Sequence, residues 1–369
     1  MNRPPFVHDL DHLSAEAVDF LKQLIATPRT SRNEAAAAHL FAAFLDACKL
    51  PVCREANNVW TVADGYDPSR PTLLLNAHLD TVKAVNGWTR DPLVPTQEGD
   101  FLFGLGSNDD GASLVCLLQT FRVLASKKQT YNLAFLASAE EEISGHDGIA
   151  RTLPLLPHID VALVGEPTGM QPAVAEKGLM VLDCTAHGKA GHAARDEGVN
   201  AIYLALEDIQ WFRTQHFPKV SPLLGAVKTT VTIINAGTQH NVVPDTCTFT
   251  VDVRCNECYT NEELYHLVRE AVKSEVKPRS FRLNSSRIDF AHPLVQRAIA
   301  LGPTFDGTPR TPFGSPTLSD QSVMSWPSMK MGPGDSARSH TANEFIRVSE
   351  IRAAIKDYIS LLDGLSLQP

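Results

Sequence analysis

The chain has no apolar run approaching the ~20 residues a membrane-spanning helix needs, so a membrane protein is not expected. It also lacks a surplus of positive charge. Its 33 Lys and Arg stand against 42 Asp and Glu, a net charge of -9, which argues against a protein that grips nucleic acid by neutralising phosphates. A disulfide framework is missing as well. Seven cysteines are scattered over 369 residues, an odd number that suits free thiols in a reducing cytoplasm. Cys255 and Cys258 form one C-x-x-C, but no second pair or His pair stands where a structural zinc site needs it, so both read as ordinary thiols. The first residues, MNRPPFVHDLDHLS, place charges where a signal peptide needs an apolar core, so export is not expected. No G-x-S-x-G occurs, and no cysteine has the flanks of a known cysteine hydrolase; a nucleophilic serine or cysteine route is disfavoured.

What is present is a repeated pattern. TLLLNAHLDTV (72–82), YNLAFLASA (131–139) and VALVGEPTG (161–169) are short apolar runs that each end in polar or charged residues. Such runs read as buried strands. Helical spacing fills 11–48, with Ser14 as a plausible N-cap, and 111–126. Strands alternating with helices predict a mixed, mostly parallel α/β sheet with helices on both faces, whose ligand sites lie beyond the carboxyl ends of the strands. The middle of the chain differs. Residues 178–189, 228–238 and 246–255 alternate apolar and polar and predict half-exposed antiparallel strands, with helices at about 198–215 and 260–276. The expected organisation is a discontinuous catalytic domain, 1–178 and 291–369, interrupted by an inserted α+β lid or dimerisation domain, 179–290.

The strand ends deliver His78 and Asp80, then Glu140–Glu142, then Glu166 to one sheet edge. A lone His-x-Asp is more often a structural pair than a metal site. Asp109, Asp110 and His340 fall in loops that could join it, and carboxylates with two imidazoles suit zinc or another divalent first-row ion. So many acids in one cleft would otherwise destabilise the fold at neutral pH. GLGSNDDGA (104–112) is neither a dinucleotide nor a P-loop motif, and it carries acids where a phosphate would sit. Its glycines are expected to shape a turn that presents Asp109 at the start of the following helix.

Five stretches together resemble the zinc-dependent aminoacylase and carboxypeptidase family, of acetylornithine deacetylase and succinyl-diaminopimelate desuccinylase type. They are HLDTV (78–82), GWTRDPLVPTQEGDFLFGLGSNDDG (87–111), AEEEISGHDG (139–148), VGEPTG (164–169) and SHTANEFI (339–346), in family order over nearly the whole chain. The resemblance implies a two-zinc amidohydrolase, with Co2+ or Mn2+ as substitutes. It implies His78 and Glu166 on one ion, Glu142 and His340 on the other, and Asp109 bridging. Asp80 would orient His78, since a ligating imidazole wants a partner on its other nitrogen. Glu141 would be the general base. AGHAARDEGVNAI (190–202) is similar to the family's lid segment, implying that His192 reaches the active site of a partner subunit, hence a homodimer. NVVPD (241–245) and DVR (252–254) are similar to lid motifs, which makes Asn241 and Arg254 candidates for the substrate; an ordinary ion pair at a strand end is as good a reading of Arg254. The implied reaction removes the acyl group of a small N-acyl amino acid, N-acetylornithine first, in a cytoplasmic biosynthetic enzyme. N-acetylcitrulline, N-succinyl substrates and small dipeptides are alternatives, and a catalytically inactive binding relative is a reading of another class. Two positions depart from the family: Gly111 where Lys is frequent, and Glu140 where Asp is usual. Neither is a ligand position.

Overall fold

A computed structural model describes residues 9–367. The reading of the extreme N-terminus as lacking an export signal falls mostly on residues outside that range. The chain divides into two compact units. The first comprises the chain up to Val174, Ile288–Phe313 and the chain from Ser319; the second comprises Ala175–Arg287 and Gly314–Leu318.

The first unit is built on a mixed, mostly parallel sheet. The sheet's strands that lie wholly in this unit run in the order Cys53–Glu55, Asn58–Val62, Asn132–Ser138, Thr72–His78, Val161–Val164, Ser328–Lys330. Thr72–His78 is parallel to both neighbours, Asn132–Ser138 and Val161–Val164, and Ser328–Lys330 is parallel to Val161–Val164. The three strands expected at 72–82, 131–139 and 161–169 are therefore adjacent and point the same way. Every residue of Thr72–His78 and of Asn132–Ser138 is buried, which is why they read as continuous apolar runs rather than alternating ones.

Alternate side chains face opposite layers. Leu74, Ala134, Leu136 and Ala162 pack with Trp60, Ile149 and Ile159 on one side. On the other, Phe135 stacks on Phe41 of helix Ala35–Ala47, with ring centroids 5.6 Å apart, and meets Phe121 of helix Ala112–Ala125 at 6.1 Å. Phe135 is fully buried. Replacing it by Ala is expected to cost ~3–5 kcal/mol, from lost transfer energy plus an incompletely collapsed cavity. Urea denaturation of Phe135→Ala against the parent measures this.

The helical reading of 11–48 is corrected in two respects. There are two helices, Leu10–Ile25 and Ala35–Ala47, and the first is capped by Asp9, whose side chain accepts from the Asp11 N–H, while Ser14 lies buried inside it. Pro28 stands in the gap, where a missing N–H and a clash with the preceding turn end a helix. The second unit carries a four-stranded antiparallel sheet in the order Lys228–Ala236, Thr246–Cys255, Gly178–His187, Glu275–Pro278, with helices Ala201–Thr214 and Asn261–Ala271. Gly178–His187 alternates buried and half-buried as expected, but Lys228–Ala236 is exposed on both faces from Thr232 on. The helix expected to reach 276 ends at Ala271, and Glu275–Pro278 is a strand. All seven cysteines are free thiols.

Candidate metal centre and active site

The site grows from the carboxyl ends of the three adjacent parallel strands. His78 is the last residue of its strand and is buried. Its Nδ1 lies 3.0 Å from the Asp80 carbonyl oxygen and 3.5 Å from Asp80 Oδ1, and its Nε2 lies 3.0 Å from Asp109 Oδ1. Burial works to lower the pKa of His78, but the bonds to Asp109 and Asp80 and the charge of Glu141 raise it well above its ordinary value. Asp80 is a hub. Its Oδ1 accepts from the Glu141 N–H at 3.0 Å, and its Oδ2 accepts from the Glu142 N–H at 3.2 Å and the Ser31 hydroxyl at 2.7 Å. One carboxylate thus orients the imidazole and fixes the backbone of both glutamates. Removing it in Asp80→Ala is expected to lower metal affinity about ten- to a hundredfold with the fold retained. Equilibrium dialysis against Zn2+ measures that loss.

The three adjacent glutamates have different surroundings. Glu140 has a left-handed backbone, φ 53°. Its side chain is buried and turns to the following loop, where Oε2 accepts from the Asp147 N–H at 3.3 Å. The backbone of that loop passes close by: a Cβ on Gly145 would lie 2.6 Å from Glu140 Cβ, so a larger residue there would push the Glu140 side chain aside. Glu141 and Glu142 occupy a short turn, Glu141–Ile143, that sets their side chains apart instead of alternating them as a strand would. Glu141 Oε2 lies 4.0 Å from His78 Nε2, and Glu142 Oε2 lies 2.9 Å from His340 Nε2. His340 Nε2 is also 3.7 Å from Asp109 Oδ2, so the Asp109 carboxylate stands between the two imidazoles.

Two groups of donors converge tightly enough for a cation: His78, Glu141 and Glu166, and His78, Asp109 and Glu142, each with ligand atoms within 4.8 Å of one another. The residue types fit a divalent first-row ion. So does the electrostatics. Burial, aggravated by neighbouring carboxylates, pushes Glu141 and Glu166 well above the usual carboxylate range, and burial pushes Asp110 to about 7 and Asp320 to about 6. Acids crowded this way call for added positive charge, which a bound cation supplies.

His192, Asn241 and Arg254 belong to the second unit. His192 is exposed in the short strand Gly191–His192, paired with Val242. Its Nδ1 accepts from the Ala194 N–H at 3.1 Å, which assigns the neutral ring its proton on Nε2. Asn241 is exposed and its carbonyl accepts from the Ala193 N–H. Arg254 is held in a fork by Asp252, with Nε to Oδ1 at 2.9 Å and Nη2 to Oδ2 at 3.1 Å. That is the ion pair at a strand end.

Sequence reasoning gave no role to Asn108, Glu344 or Arg29. The guanidinium of Arg29 is buried beneath the site and donates to Leu79 O at 2.6 Å and Gly106 O at 2.8 Å. It sits in the gap between the first two helices, which a single long helix would have hidden. Asn108 and Glu344 lie inside quoted motifs, but an amide and an acid with no metal-ligand spacing carried no signal.

Fold and donor set define a metal-dependent amidohydrolase. The chain belongs to peptidase family M20/M25/M40, whose profile matches residues 74–363. It is similar to acetylornithine deacetylases. It shares 26% identity with that of Proteus mirabilis over 361 residues, 90% of this chain and 92% of the relative. With that of Yersinia pestis it shares 30% over 297 residues, 76% of this chain and 75% of the relative. Among solved structures, an aminopeptidase PepT from Bacillus cereus superposes with a TM-score of 0.74 at 16% identity, covering 95% and 98% of the two chains. A dinuclear metal-binding peptidase of the M20 family from Bacillus subtilis gives 0.73 at 15%, also covering 95% and 98%. These structural likenesses establish the fold.

Proposed function

We propose that the protein hydrolyses the amide of a small N-acyl amino acid, N-acetylornithine first, to acetate and ornithine. One observation carries this reading: His78, Asp109, Glu141, Glu142, Glu166 and His340, an uninterrupted ligand and base set, stand together in a chain similar along most of its length to acetylornithine deacetylases. His78 and Glu166 would hold one metal ion, Glu142 and His340 a second, and Asp109 both. Zinc is the first choice, with Co2+ or Mn2+ able to replace it; such ions supply Lewis acidity, which makes a water acidic near neutral pH and draws electron density from a carbonyl oxygen. Two ions would match the dinuclear Bacillus subtilis relative.

The chain's own residues supply the rest. Glu141, with its carboxyl oxygen 4.0 Å from His78, takes the proton of the attacking water and returns it to the leaving amine. Asp80 keeps His78 in the ligating tautomer by engaging Nδ1. His192 of a partner subunit, with its proton on Nε2, donates to the oxygen that becomes negative. That role requires a homodimer through the second unit. The edge strand Lys228–Ala236 supports it by exposing Ile233 and Ile234, and helix Ala201–Thr214 by exposing Tyr203 and Leu206. Asn241, on the strip beside His192, would reach the substrate. Arg254 serves the substrate carboxylate only if Asp252 releases it. The expected setting is arginine biosynthesis in the cytoplasm.

The test is a panel of N-acetyl and N-succinyl derivatives of ornithine, citrulline and diaminopimelate, plus small dipeptides, assayed for free amine. Fastest release from N-acetylornithine is expected. A faster N-succinyl or dipeptide substrate would replace that assignment, and no release from any member would favour a binding relative.

A further inference from the structure

The segment Gly332–Glu344, which carries His340, is fastened on two sides. Backbone bonds staple it to the loop that follows Glu166. Thr168 N–H donates to Gly332 O at 3.2 Å, Gly169 N–H to Gly334 O at 2.7 Å and Met170 N–H to Gly332 O at 2.8 Å. The other fastening is made by side chains, and it runs both ways. Asn108, next to Asp109 and fully buried, donates through Nδ2 to Asp335 O at 3.1 Å and Ser339 Oγ at 3.2 Å. Its Oδ1 accepts from the Asp335 N–H at 3.0 Å. Glu344 answers from the far end of the segment. Its buried carboxylate accepts from the N–H groups of Gly106, Asn108 and Asp109 at 2.9, 2.8 and 2.9 Å. The approach is close, since a Cβ on Gly334 would lie 2.2 Å from Asn108 Oδ1.

We infer that Asn108 and Glu344 form a reciprocal clasp that sets the separation between Asp109 and His340 and so determines how firmly the second metal ion is held. Each residue comes from one ligand-bearing loop and bonds the backbone of the other. Neither contributes a ligand, and both are positioning residues. The inference rests on the ligand assignment proposed above. His340 needs the clasp because its own surroundings are loose: its side chain is 52% exposed and its backbone is left-handed, φ 57°. His78, by contrast, ends a buried strand and is held by Asp80 two residues further on.

The two halves of the clasp have different expected effects. Asn108 steadies the His340 segment, so Asn108→Ala is expected to keep one ion at parental affinity and to bind the second at least about tenfold more weakly. Glu344 holds the backbone of Asp109, which both ions share. Glu344→Ala is therefore expected to weaken both, and Glu344→Gln, which keeps one acceptor oxygen, to weaken them less.

The experiment is titration of chelator-stripped protein with Co2+, reading bound metal by equilibrium dialysis and elemental analysis alongside thermal melting. Two ions at parental affinity in both Asn108→Ala and Glu344→Ala would overturn the clasp, even with lowered melting temperatures, because the residues would then be merely structural. If one of the two alanine variants does not fold, the other decides by the same criterion. If the parent itself holds one ion, the two-ion reading fails separately. The clasp then still requires weaker binding of that ion in Glu344→Ala, and unchanged binding refutes it.

Discussion

Glu141→Ala is expected to keep its fold and its metal and to lose turnover by about a hundred- to ten-thousandfold, the usual worth of a positioned general base. The claim is exposed because Glu141 also lies close enough to His78 and Glu166 to act as a ligand. Metal content separates the two roles. A ligand replaced by Ala lowers affinity for an ion, whereas a base replaced by Ala leaves it unchanged. A shift of register, with Glu140 as base and Glu141 as ligand, is disfavoured by the bond that turns Glu140 to the Asp147 N–H and by the backbone of Gly145 against its carboxylate. Glu140→Gln is accordingly expected to spare most of the activity, as Oε1 of Gln can still accept from that N–H. Retained metal with lost turnover in Glu141→Ala, measured by elemental analysis and amine release on one preparation, identifies the base; retained turnover would remove Glu141 from the mechanism.

The second large effect is that of stripping the metal. Activity is expected to vanish after dialysis against a chelator and to return on adding Zn2+, Co2+ or Mn2+. Stability should fall with it. A ligand present at a hundred times its dissociation constant stabilises the folded state by about 2.7 kcal/mol, and at a thousand times by about 4.1 kcal/mol. The stripped protein also keeps the buried carboxyl groups of Glu141, Glu166 and Asp110 crowded without a bound metal ion. Thermal melting with and without chelator measures the difference. Full activity in protein shown to be metal-free would contradict the assignment.

Much of this was legible because strand ends are legible. A buried parallel strand is an uninterrupted apolar run, so the position where polarity returns marks the sheet edge where His78, Glu141, Glu142 and Glu166 meet. Other features had no such signature. Val272 and Val276 are four apart, a spacing that fits one face of a helix and equally one face of a strand; the chain leaves the helix at Ala271 and begins a strand at Glu275. The break at Pro28 was hidden by apolar spacing continuing on both sides, and with it the loop that buries Arg29 beneath the site. The clasp of Asn108 and Glu344 spans more than two hundred residues of sequence, and the backbone groups that each side chain bonds leave no mark on residue type. Even the separation of Glu141 from Glu142 depends on a turn, with left-handed residues at Glu140 and Ser144, that an unbroken run of acids does not announce.

The most direct measurement of the central claim is anomalous diffraction from zinc-loaded crystals, recorded on both sides of the zinc edge. The account predicts two zinc peaks per chain, one beside His78 and Glu166, one beside Glu142 and His340, with Asp109 on both and Glu141 on neither. A single peak, or a peak coordinated by Glu141 with His340 turned away, would contradict it.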